Sequence, residues 1–210
     1  MTRLDILDLS HNKVSYLSSS IFSPIETSLH VLNLDTNCLN ELETFRLTNS
    51  FSRLKRLNLL DLSNNKLFNL PNLAETNLIR LIARSNQIEI LVDQDTYKPL
   101  LPRSLVDLNL EFNEIKYISD NYFENLFNLK HLNLANNQIS AIAESAFINL
   151  VNLIDINLSK NSLKHIPSKI IYTLINLEYL DLSSQSQLIK LIDDYAFDRE
   201  SNIKSIKKIK

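Results

Sequence analysis

One short pattern, L-x-x-L-x-L-x-x-N-x-L, governs what this chain can become. It starts at Leu4, Leu29, Leu57, Leu78, Leu105, Leu129, Leu153 and Leu177, and the steps between starts are 25, 28, 21, 27, 24, 24 and 24 residues. Tandem self-similarity at such a period is how stacked-coil solenoids are written. No single coil can bury its own apolar face, so each must stack on its neighbours. The L-x-x-L-x-L stretch ends in period-2 alternation, which suits a short strand with one buried face. Strands of successive coils then lie side by side, roughly 4.8 Å apart, with the leucines in one continuous column.

The ninth position of the first seven copies is asparagine: Asn12, Asn37, Asn65, Asn86, Asn113, Asn137 and Asn161. An amide donates and accepts at once, so a stacked ladder of these side chains can satisfy the backbone where the chain turns after each strand. The eighth copy has Gln185 there, followed by a one-residue insertion through Gln187, and a local disturbance of the ladder is expected. Phenylalanine falls eighteen residues after the start at Phe22, Phe123 and Phe147, with Ile171 in the same place. These side chains are expected to stack inside the convex side. All five prolines, Pro24, Pro71, Pro99, Pro102 and Pro167, lie outside the strand segments, where a missing N–H breaks no ladder bond.

This arrangement resembles the leucine-rich repeat family over nearly the whole chain. The regular later copies are similar to its 24-residue typical class, found mainly on secreted and cell-surface proteins of animals. Irregular early copies followed by regular ones are also seen in chaoptin-like adhesion proteins and Toll-like receptor ectodomains. The resemblance implies an α/β solenoid: a horseshoe with a parallel concave β-sheet and a mostly irregular or 3₁₀ convex side. It implies one domain over residues 1–210, with eight repeats at the starts given above and a partial ninth from Ile203. Both ends read as cut, so the chain is expected to be a fragment of a longer protein.

Composition removes several function classes. The formal net charge is −2, so bulk electrostatics predict no nucleic-acid binding. Glycine is absent, which rules out glycine-rich phosphate loops and dinucleotide fingerprints. Every turn must therefore form without the residue that best tolerates positive φ, and asparagine is expected at some of those places. The four histidines, His11, His30, His131 and His165, have no metal-ligand spacing. A curved open sheet offers no deep pocket, so no catalysis, cofactor or small-molecule substrate is expected. No apolar run is long enough to cross a bilayer, and a membrane enters only through segments beyond this chain. Cys38 is the single cysteine and permits no internal disulfide. The triplet Asn157-Leu158-Ser159 matches a glycosylation acceptor but reads as a by-product of the repeat.

What remains is a binding surface. The x positions of each strand should face the concave side. The third positions are Ile6, Val31, Leu59, Arg80, Asp107, His131, Asp155 and Tyr179. Asp61 and Asp181 stand at fifth positions and Phe112 at an eighth. Exposed apolar and aromatic groups beside fixed carboxylates are what a protein partner needs, since burial supplies energy and charge selects. The expectation is a protein-binding module, part of a cell-surface adhesion or recognition receptor, with an intracellular scaffold or regulator as the alternative. Long loops in the second copy (Glu43 to Arg56) and the fourth (Asp93 to Pro99) are candidate accessory elements.

Overall fold

The computed structural model describes residues 3–18, 20–40, 50–89, 100–120, 122–167, 173–187 and 189, with the backbone of 191–192 and 205–207. The candidate loop of the fourth copy, residues 43–49 of that in the second, and Ile171 and Ile203 lie outside the described residues.

Each repeat opens with a three-residue strand. In chain order these are β1 (Ile6–Asp8), β2 (Val31–Asn33), β3 (Leu59–Asp61), β4 (Arg80–Ile82), β5 (Asp107–Asn109), β7 (His131–Asn133), β9 (Asp155–Asn157), β11 (Tyr179–Asp181) and β13 (Ser205–Lys207). They form one parallel sheet in that order. Across the sheet, third position pairs with third position from Ile6 and Val31 through to Asp155 and Tyr179. The solenoid thus keeps its register through steps as different as 21 and 28 residues. Loops absorb the difference because the leucines cannot shift without turning their faces outward. Four two-residue strands sit on the other side: β6 (Tyr117–Ile118) pairs with β8 (Ala141–Ile142), and β10 (His165–Ile166) with β12 (Leu191–Ile192).

The core runs the length of the stack. Leu29, Leu32 and Leu34 of the second coil are fully buried, as are Leu57, Leu60 and Leu62 of the third, and the later coils repeat the triplet. The first coil differs at its outer edge, where Leu4 is exposed and Leu7 only half-buried. On the convex side Phe123 and Phe147 stack at 5.8 Å between ring centroids, with Tyr122 edge-on to Phe123. Phe22 stacks at 6.2 Å on Phe51, a residue that the irregular length of the second repeat hides from simple counting. Between these pairs the coils carry Leu73, Leu100 and Leu101 instead. The described convex segments are mostly turns with i→i+3 bonds, such as Leu126 N–H to the Phe123 carbonyl and Leu150 N–H to that of Phe147.

The asparagine at position nine lies under the turn that follows each strand. The Asn137 amide nitrogen donates to the carbonyls of Leu110, Leu134 and Ala135 at 3.0, 3.1 and 3.2 Å, while its oxygen accepts the Ile115 N–H at 3.1 Å. One side chain thereby ties its own turn to the coil before it. Asn37, Asn65, Asn86, Asn113 and Asn161 make the same four contacts with their own neighbours. Asn12 in the first coil is exposed and bonds only the carbonyls of Leu9 and Ser10. The expected disturbance at the eighth coil does not break the ladder. Gln185 Nε2 donates to Leu158 and Leu182, and its oxygen accepts the Leu163 N–H at 3.0 Å.

Candidate protein-binding face

The face of the sheet opposite the leucine column is built by two rows of side chains in register. The third-position row runs Ile6, Val31, Leu59, Arg80, Asp107, His131, Asp155 and Tyr179. Each of these side chains is exposed or half-buried, while the strand residue that follows it points into the core. The row has three zones. Ile6, 59% exposed, leads into the half-buried Val31 and Leu59, an apolar strip across the first three strands. Arg80, Asp107, His131 and Asp155 form a charged middle. Tyr179, 49% exposed, closes the row.

In the middle zone the His131 ring stands between two carboxylates on neighbouring strands. Its Nδ1 contacts Asp155 Oδ2, and its Nε2 lies 3.7 Å from Asp107 Oδ1. These side chains and Arg80 line a shallow open depression of about 150 Å³. The His131 ring thus brings Asp107 and Asp155 together on the surface of the zone.

The fifth-position row has a structural duty that residue type alone did not reveal. Asp8, Asn33, Asp61, Asn109, Asn133, Asn157 and Asp181 each accept, on Oδ1, the backbone N–H two residues ahead, at 2.8 to 3.1 Å. This is the local side-chain bond that aspartate and asparagine form in turns. Asp61 and Asp181 therefore hold the chain where it leaves the strand, in addition to facing the concave side. At Asp8 the Ser10 hydroxyl and N–H, followed by Asn33 and His11, hold the carboxyl below its ordinary value, with slight burial opposing them. Above the unfolded aspartate pKa this contact favours the folded chain, and the effect is lost as pH falls through the depressed folded value. A carboxyl-carbon NMR titration should find Asp8 titrating lower than a free aspartate, and Ser10→Ala should raise its midpoint. An unchanged midpoint in that variant would contradict the assignment.

Position eight is left-handed in every coil. His11, Thr36, Asn64, Ser85, Phe112, Asn136, Lys160 and Ser184 all have φ between 51° and 57°. Asparagine takes this place only at Asn64 and Asn136, and with no glycine in the chain other residue types fill the rest. Several are tied down: Asn64 donates to Asp35 at 2.7 Å and Asn136 to Glu111 at 3.1 Å. Phe112 is 45% exposed, and its ring lies 5.9 Å from the Arg84 guanidinium carbon.

A second amide seam runs along the other end of the strands. Asn77, Asn128, Asn152 and Asn176, each just before a repeat's opening leucine, donate to the carbonyls of Lys55, Arg103, Phe127 and Val151 in the preceding coil. The dipeptide Asn-Leu at four repeat starts was its visible signal. Among the described residues no group of three or more histidine, cysteine, aspartate or glutamate side chains is placed to hold a metal ion. No described helix is long and apolar enough to cross a membrane.

Comparison with known proteins agrees with this architecture. A family model described as leucine rich repeat matches residues 103–163. Lumican of Gallus gallus is 32% identical over 147 residues, covering 60% of this chain, which spans 41% of lumican. Among solved structures, the receptor in a TLR13–ssRNA13 complex superposes with a TM-score of 0.64 at 26% identity, covering 87% of this chain and 28% of that one. A leucine-rich repeat protein of Leptospira interrogans gives 0.67 at 28% identity, covering 86% and 43%.

Proposed function

We propose, since the chain belongs to the leucine-rich repeat family, that its concave sheet is a protein-binding face of an adhesion or recognition receptor. The observation that carries this reading is the in-register third-position row. It sets an apolar strip, a fixed charged zone and an exposed tyrosine along one wall. A deep pocket suits a small molecule, whereas an open wall of graded contacts suits a macromolecule. The 24-residue spacing from Leu105 onward, the class associated with secreted and surface proteins, supports placement outside the cell. An intracellular scaffold is the alternative, and protease accessibility of a tagged chain on intact cells separates the two.

The solved complex with single-stranded RNA raises the question of nucleic acid here. Fixed carboxylates at Asp107 and Asp155, with Asp8, Asp61 and Asp181 on the neighbouring row, argue for protein instead. A phosphate backbone gains affinity by meeting lysine and arginine, and the third-position row offers Arg80 alone.

The aromatic anchors provide the test. Screened on an array of purified extracellular proteins, the chain should retain at least one binder. The Phe112→Ala/Tyr179→Ala double variant should bind it about 30-fold more weakly, a loss of ~2 kcal/mol, with an unchanged melting curve. Equal affinity in the double variant would remove the concave face from consideration.

A further inference from the structure

Two residues unlike their counterparts in the other coils meet in the fourth and fifth coils. The first is Ile82. Seven coils place aspartate or asparagine at the fifth position and use it to accept the N–H two residues on. Ile82 has no acceptor to offer. The second is Phe112, the one apolar aromatic among the eight residues that share the left-handed turn, held at φ 55°. A left-handed backbone is tolerated by glycine, asparagine and aspartate and is unfavourable for a large side chain. Burial does not compensate here, because the ring is 45% exposed.

Between these two residues lies Arg84, whose guanidinium sits 5.9 Å from the Phe112 ring centroid. Arg80 and Ile82 lie on β4, and alternation puts Arg80, Ile82 and Arg84 on one side of the chain. Among the described residues neither guanidinium has an ion pair. Two guanidinium groups and two apolar side chains thus stand together on a wall whose neighbouring strand charges are carboxylates. Positions where one coil departs from the residue types its neighbours carry, without burying the new side chain, are where function is expected.

The geometry points to one recognition patch, Arg80, Ile82, Arg84 and Phe112, that takes an acidic segment of a protein partner. This deepens the concave-face reading and rests on it. A partner carboxylate meets the guanidinium groups, whose forked donors match it in bidentate fashion. An adjacent aliphatic or aromatic side chain packs on Ile82 and Phe112. Arginine and aromatic residues are the types that dominate such contacts. A peptide carboxylate suits the patch better than a polyphosphate chain. Asp107 pairs in register with Arg80, Asp61 with Ile82, and Glu111 precedes Phe112. These border carboxylates repel a continuous run of negative charge and leave room for a single one.

The test is selection of a random dodecapeptide phage library on the purified chain, followed by affinity measurement with the most enriched peptide made synthetically. Enriched peptides should carry aspartate or glutamate within about two residues of a large apolar side chain. Affinity should fall at least tenfold in Arg84→Glu. It should fall likewise in the Ile82→Asn/Phe112→Asn double variant, which installs a turn acceptor at position five and a residue that tolerates positive φ at position eight, and should melt at or above the wild-type temperature. Basic or uncharged enriched peptides, no enrichment, or a lower melting temperature in the double variant overturns the proposal. Tighter binding of a 13-nucleotide oligouridylate than of any peptide does the same. If peptide binding falls in Leu59→Ala or Tyr179→Ala but not in Arg84→Glu, this patch is wrong and the concave-face reading stands. Insensitivity to all of these variants removes both.

Discussion

Phe147→Ala is expected to lower the free energy of unfolding by about 3–5 kcal/mol, the usual range for deleting a buried aromatic ring. Phe147 is 1% exposed and stacks on Phe123 of the preceding coil. Removing it deletes intracoil packing and an intercoil contact together. In a solenoid, stability is roughly a sum of coil terms and neighbour interfaces. The damage should therefore be local. Urea titration should show an early transition for the coils around residue 147, with the N-terminal coils unfolding later. Since domains of ordinary stability hold only ~5–15 kcal/mol, the shift is large on any scale. A midpoint indistinguishable from wild type would mean that the phenylalanine stack does not hold the convex side together.

The second large effect is expected at Asn137. Alanine there removes one acceptor and a nitrogen that serves three carbonyls, in a residue that is 8% exposed. Leaving such buried backbone groups without partners costs about 1–3 kcal/mol. Asn137→Asp should be at least as damaging, because a carboxylate cannot donate to the carbonyls of Leu110, Leu134 and Ala135. Asn12→Ala is the control, since Asn12 is exposed and lacks the intercoil contacts. It should stay within ~0.5 kcal/mol of wild type, as surface changes usually do. Equal melting shifts for Asn12→Ala and Asn137→Ala would show that the intercoil bonds contribute nothing.

These contrasts show which parts of the molecule are readable in the chain. The leucine spacing foretells the strands because a one-residue slip would turn every leucine outward, so pattern and register are the same fact. The position-nine asparagines stand out because they recur at a fixed offset. Asp61 and Asp181 are different. An aspartate beside a strand can face a partner or bond its own backbone, and residue type does not say which. Phe51 is hidden because an insertion moved it out of phase with Phe22, although packing brings the rings together. Gln185 looks like a fault in the ladder by residue type, yet its longer side chain still reaches Leu158, Leu182 and Leu163. The left-handed state of Phe112 is imposed by a turn common to all coils, and nothing in its own identity signals it.

The two amide seams, one at each end of the strands, carry a further consequence. Four coils are pinned to their neighbour before the strand by Asn77, Asn128, Asn152 and Asn176, and after it by residues such as Asn137. Rungs pinned at both edges resist fanning apart and sliding. On the concave-face reading proposed above, the wall acts as a ruler: a guest that engages three rungs must carry its groups at the rung pitch, and one with the right chemistry at the wrong intervals is refused.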